Sequence, residues 1–108
     1  MMIEVLKSKI HRAKVTSTNI NYEGSITIDK KLCIKAGLKE FEKVDVYNIT
    51  NGSRFTTYVI YGKNNEIQIN GAAARLCHKG DIIIIASYAM IDEKEYTNFK
   101  PTIVTMKN

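Results

Sequence analysis

The sequence has little of what usually marks small-domain chemistry: one proline, two cysteines, two histidines and no tryptophan in 108 residues. Cys33 and Cys77 form no Cys-x-x-Cys pair and have no histidine at zinc spacing, which argues for reduced, structural thiols rather than a metal centre or disulfide scaffold. His78 directly follows Cys77, but two adjacent residues on their own do not close a tetrahedral site. Neither a Gly-rich phosphate loop nor a nucleophile elbow is present, so no conventional kinase, hydrolase or metalloenzyme signature remains. No apolar run approaches the ~20 residues that span a bilayer. The longest, residues 82–86, has the length of a strand. The opening MMIEVLK lacks the basic head, apolar stretch and cleavage site of a signal peptide, and the expected location is the cytoplasm.

Charge excludes less. The net charge is +5, yet Lys7, Lys9, Arg12, Lys14, Lys30, Lys31, Lys35, Lys39 and Lys43 are scattered, with no aromatic ladder between them. A solvated basic surface fits this spacing, and so does a positive pocket that draws small anions. Neither a nucleic-acid nor a membrane partner is expected.

What is there is β-prone, and its length allows one domain. Residues 3–16 alternate apolar and polar with slippage, which predicts a strand with a bulge. A short strand covers 26–28. Asp29 reads as the N-cap of a helix over KKLCIKAGL that Gly37 ends. Asn51-Gly52, between two alternating segments, predicts a hairpin. A strand at 66–69, a helical turn at 71–76 and a buried strand at 81–88 follow. The tail, YTNFKPTIVTM, ends in a last strand that is expected to pack on a neighbouring subunit. Many short strands imply a small barrel or sandwich, and its exposed edges favour oligomers.

Within this frame Gly24-Ser25, in INYEGSITID, reads by itself as a turn between two β-prone stretches. Five fragments together change that reading. KSKIHRAKVT, YEGSITID, NITNGSRFTTY, INGAAAR and GDIIIIASY, in this order and at this spacing, resemble the pyruvoyl-dependent aspartate 1-decarboxylases of the bacterial pantothenate pathway. The similarity runs from about Lys7 to Tyr88 and continues weakly through Pro101. The departures are slight: a short loop at 62–66, an early end at Asn108 and an ambiguous start at Met1-Met2.

The resemblance implies a six-stranded double-psi β-barrel with short helices, and a homotetramer with active sites between adjacent subunits. It implies self-cleavage between Gly24 and Ser25 into chains 1–24 and 25–108. The Ser25 hydroxyl would attack the Gly24 carbonyl and form an ester. Elimination across Ser25 would leave dehydroalanine, which becomes a pyruvoyl group with loss of ammonia. Glycine on the upstream side would leave the attack unhindered and tolerate unusual backbone angles. The covalently attached pyruvoyl group would form a Schiff base with L-aspartate and act as electron sink, so that neither metal nor pyridoxal phosphate is expected.

The remaining site residues also follow from the resemblance. Tyr58 matches the proton donor, a role generally worth about 10²–10⁴-fold. Thr57 matches a substrate contact that assists cleavage. Arg54 and Lys9 match cations around the substrate; a guanidinium suits a bidentate carboxylate, and an ammonium is a point charge. Gly71, Ala72 and Ala73 match the substrate-binding stretch, where a helix opening offers backbone N–H groups. His11, Tyr22 and Asn70 match supporting positions. Without the resemblance, Tyr58 reads as a core aromatic, Thr57 as an ordinary strand residue, Arg54 and Lys9 as surface charges, and residues 70–74 as a tight turn. A non-enzymatic barrel adaptor has no reason to keep Gly24-Ser25 together with Tyr58 and Arg54. The same barrel acting on glutamate or another acidic amino acid remains open, because pocket depth would decide it.

Overall fold

The computed structural model describes residues 1–107. Its strands are β1 (Met2–Lys14), β2 (Ser17–Asn19), β3 (Ser25–Asp29), β4 (Lys43–Asn48), β5 (Arg54–Gly62), β6 (Ile67–Asn70), β7 (Ile82–Asp92) and β8 (Thr102–Thr105). A helix, α1 (Lys30–Ala36), and two short 3-10 helices, Gly71–Leu76 and Glu93–Asn98, complete the chain. The strands form one sheet in the order β2-β6-β3-β5-β4-β7-β1-β8. Its two outermost members are three and four residues long, and six strands lie between them. The fold is thus mainly β with short helices, as expected.

Residues 2–19 curve the sheet. Val15 N donates to Asp81 O just before β7, and the next residue, Thr16, donates to Ile67 O in β6, at 2.9 and 2.8 Å. One continuous stretch therefore borders strands that stand far apart in the sheet order. The expected bulge is present twice in β1, as register shifts between Leu6 and Ser8 and between Ile10 and Ala13. The second holds Arg12 at φ 67° and returns Ala13 and Val15 to the interior.

Local signals place α1 and the hairpin. Asp29 accepts from Lys31 N at 2.8 Å, and Gly37 closes the helix at φ 76°, with N–H bonds to the Cys33 and Ile34 carbonyls. Gly52, at φ 79°, turns β4 into β5. The core is made by alternate residues of the inner strands, among them Ile10, Ile26, Ile28, Val44, Val46, Val59, Ile69, Ile83 and Ile85. Cys33 and Cys77 are free and buried, and burial pushes their thiols up to about 12 and about 11. The last strand, β8, is present as expected and pairs in parallel with β1 of its own chain, from Ser8–Thr102 to His11–Thr105, leaving its other edge open at the end of the sheet. Among the described residues no helix is long and apolar enough to cross a membrane.

Asp81 pins the loop before β7. Its Oδ2 accepts from Asn48 Nδ2 at 2.8 Å and from His78 N at 2.9 Å. Burial pushes its pKa up, but these two bonds outweigh that and hold it below the usual 3.8. A depressed native pKa stabilises the fold above the unfolded value and loses that contribution as pH falls through the native one. The urea midpoint should therefore hold level near neutrality and decline below about pH 4. Asp81→Asn should lower the unfolding free energy at neutral pH by about 1–3 kcal/mol and flatten the acid decline. An unchanged acid slope in the variant would remove Asp81 from the account.

Candidate active site

Ser25 opens β3 and lies directly opposite Asn70, the last residue of antiparallel β6. Its side chain is 2% exposed, whereas Gly24 before it is exposed. Asn70 Nδ2 donates to Ser25 Oγ and to Thr27 Oγ1, both at 2.9 Å. The Ser25 hydroxyl in turn donates to Glu23 O at 3.3 Å, turning back toward the segment that precedes the strand. Asn70 stands at the N-cap of the following 3-10 helix but makes no side-chain cap bond, because its amide is committed to Ser25 and Thr27. The Ser25 hydroxyl is held by a side chain that a turn would ordinarily use for itself.

The glycine that this arrangement requires is Gly71, not Gly24. Gly24 is absent from the left-handed region, and a Cβ built there would meet nothing within 4 Å. Gly71 sits at φ 73°, and a Cβ on it would lie 2.7 Å from Gly24 Cα and 2.8 Å from Gly24 N. The expected need for glycine freedom upstream of Ser25 is therefore corrected for the uncut chain. The backbone at 71 packs on the backbone at 24, and only a residue without a side chain allows that approach.

β5 supplies the next residues. It pairs in parallel with β3 from Ile26–Val59 onward, so Tyr58 precedes Val59 as Ser25 precedes Ile26. Ile26 and Val59 face the core, so strand alternation turns Ser25 and Tyr58 to the opposite face. Thr57, paired with the core residue Val44, lies on the inner side; both Tyr58 and Thr57 are half-buried.

The Tyr58 face continues along β5 to Thr56 and Arg54 and across β4, β7 and β1. Thr56, Asp45, Ala86 and Lys9 form one rung. Arg54 lies 4.2 Å over the Tyr47 ring, and Tyr47 shares a 2.8 Å hydroxyl bond with Tyr88. That bond, before burial, pushes the Tyr88 hydroxyl up to about 12. Arg54 stands four residues before Tyr58, about 13 Å along the strand, and Lys9 is three strand spacings from Thr56, roughly 14 Å. One chain thus sets Ser25, Tyr58, Arg54 and Lys9 on one face. His11, at the second bulge of β1, has its Nδ1 buried without a hydrogen-bond partner. Tyr22 and Ala72 are exposed, and Ala73 packs on the core.

Thr27, Tyr47 and Tyr88 were not singled out by sequence. Their signal is strand register, which appears only once the strands are paired. Two clefts, of about 440 Å³ beside α1 and about 490 Å³ beside Glu93–Asn98, contain none of the expected site residues.

The two glycines make opposite predictions. Gly24→Ala should leave the melting midpoint almost unchanged, within about 0.5 kcal/mol. Gly71→Ala should cost about 1–3 kcal/mol, because the new Cβ meets backbone at a left-handed position. Equal midpoints for the two variants would contradict the packing of 71 on 24.

Comparison with known proteins identifies the family. The profile of the aspartate decarboxylase family matches residues 1–108. The aspartate 1-decarboxylase of Hydrogenobaculum sp. (strain Y04AAS1) is 59% identical over 104 residues, covering 96% of this chain and 83% of that protein. The aspartate 1-decarboxylase of Campylobacter fetus subsp. fetus (strain 82-40) is 60% identical over 105 residues, covering 96% and 91%. That of Sulfurimonas denitrificans is 53% identical over 110 residues, covering 100% and 91%. With the profile spanning its length and identity above half over nearly all of it, this chain belongs to the aspartate decarboxylase family.

Proposed function

We propose that this chain is made as an inactive precursor, cuts itself between Gly24 and Ser25, and then converts L-aspartate to β-alanine and carbon dioxide for pantothenate synthesis in the cytoplasm. The observation that carries the reading is the buried, amide-anchored Ser25 hydroxyl beside an exposed Gly24, in a chain of this family. An ordinary turn serine would face water. This one is held away from water and against the preceding segment.

The cleavage uses the chain's own atoms. Ser25 Oγ adds to the Gly24 carbonyl carbon, the peptide C–N bond breaks, and an ester with a free Ser25 amine results. Loss of the Ser25 Cα proton expels the Gly24 carboxylate and leaves dehydroalanine. Uptake of water and loss of ammonia then leave a ketone at position 25. Thr57, the residue before Tyr58 on β5, polarises the carbonyl under attack. The pocket around Ser25 suits the group so formed, since Asn70 keeps a donor aimed at position 25.

The pyruvoyl group supplies an electron sink for the bond that loses carbon dioxide. The rest falls to side chains and backbone. Tyr58, which precedes Val59 as position 25 precedes Ile26, returns the proton. Arg54 takes a carboxylate through its planar fork, with its guanidinium over the Tyr47 ring, and Lys9 adds a second positive charge. The N–H groups of Gly71, Ala72 and Ala73 receive the other carboxylate, and His11, Tyr22 and Asn70 line the site. The protein assembles as a homotetramer of double-psi barrels with each site shared between adjacent subunits, a reading supported by its membership of the family.

Ser25→Ala should remain a single uncut chain and release no carbon dioxide from aspartate. Tyr58→Phe should still cut itself but lose about 10²–10⁴-fold in kcat for β-alanine formation. Full turnover by Ser25→Ala would overturn the proposal. Blocked cleavage with intact turnover after forced maturation would reassign Tyr58.

A further inference from the structure

Gln68 has no part in the roles above, yet it stands at the centre of the hydrogen bonds that lead to Ser25. It occupies the middle of β6, paired with Ser17 of β2 on one side and Thr27 of β3 on the other. Ser17 Oγ donates to Gln68 Oε1 at 2.8 Å, and Gln68 Nε2 donates to Asn70 Oδ1 at 2.6 Å. Asn70 Nδ2 then donates to Ser25 Oγ and Thr27 Oγ1. The directions agree along the chain. The Ser17 hydroxyl donates to the oxygen end of the Gln68 amide, whose nitrogen end turns to Asn70. Asn70 receives with its oxygen and donates with its nitrogen, as the Ser25 hydroxyl, itself donating to Glu23 O, requires.

Asn70 is fully buried, and both of its N–H bonds are engaged. Turned the other way, its carbonyl would face two hydroxyl oxygens and the Gln68 nitrogen would face another donor. The difference matters at Ser25. A donor on Oγ stabilises the negative charge that develops as the hydroxyl proton leaves; an acceptor there would hold the proton in place.

We infer that Gln68 is a positioning residue for self-cleavage: acting through Asn70, it keeps an N–H donor on Ser25 Oγ. This rests on the reading that the Gly24–Ser25 bond is cut by Ser25. Ser17 serves the same end one step further back.

The test follows conversion of freshly purified single-chain precursor to fragments 1–24 and 25–108 by denaturing intact mass, across a pH series. Gln68→Leu should slow conversion roughly tenfold or more. The double variant Gln68→Leu/Asn70→Ala should be no slower than Asn70→Ala alone, because a residue that acts through another adds nothing once that other is gone. Gln68→Glu carries the sharper readout. Ionised, the new carboxyl cannot donate to Asn70 Oδ1, so conversion is slow near pH 7.5. Protonated, it can donate, so conversion recovers as pH falls through its titration, a recovery that the parent and Gln68→Leu lack. Should Gln68→Leu fail to fold, the near-isosteric Gln68→Glu still decides. Parent-like conversion of a folded Gln68→Glu at every pH would overturn the inference, as would additive slowing in the double variant. A parent chain that never cuts is a different result, which removes self-cleavage itself.

Discussion

The hydrogen bond from Asn70 Nδ2 to Ser25 Oγ ties the start of β3 to the end of β6 where neither side chain meets solvent. A buried hydroxyl must find its partners inside the protein, and here they decide its chemistry as well as its comfort. Other local features follow from that bond. Asn70 cannot cap the 3-10 helix it precedes, so the turn after it is made by backbone at Gly71. That backbone lies against Gly24 closely enough to exclude a side chain. The reacting bond is therefore flanked on one side by the Asn70 amide and on the other by the chain at 71.

A twisted sheet then divides the remaining work. Parallel pairing of β3 and β5 aligns Val59 with Ile26, the residues after Tyr58 and Ser25, and the same face carries Arg54 and Lys9 out across β4, β7 and β1. The Tyr47 ring beneath Arg54 and the Tyr88 hydroxyl beyond it hold the guanidinium in a defined place on that face.

What was legible in the sequence was local. Asp29 and Gly37 bracket α1, Asn51-Gly52 turns the hairpin, and the slipped alternation in 3–16 is the bulge that places Arg12 at positive φ. Parallel pairings are a different matter. β2 with β6 and β8 with β1 join segments far apart in sequence, and no residue type announces them. Hence the pairing of the last strand with the first, and the chain of amides behind Ser25, were out of view. At the site, Ser25 and Tyr58 carried meaning only through the five family fragments, since either alone is an ordinary strand-end serine or strand tyrosine. Gly24 was credited with a freedom that Gly71 in fact exercises, because a collision between two turns is a tertiary fact.

The central claim is that Ser25 turns its own backbone into the reactive group, and the intact mass of the purified chain under denaturing conditions tests it most directly. The account predicts two species, residues 1–24 and 25–108, the larger lighter by one ammonia than a fragment with a plain serine terminus. A single full-length mass that persists through prolonged warm incubation would contradict it, as would a 25–108 fragment that keeps its serine amine.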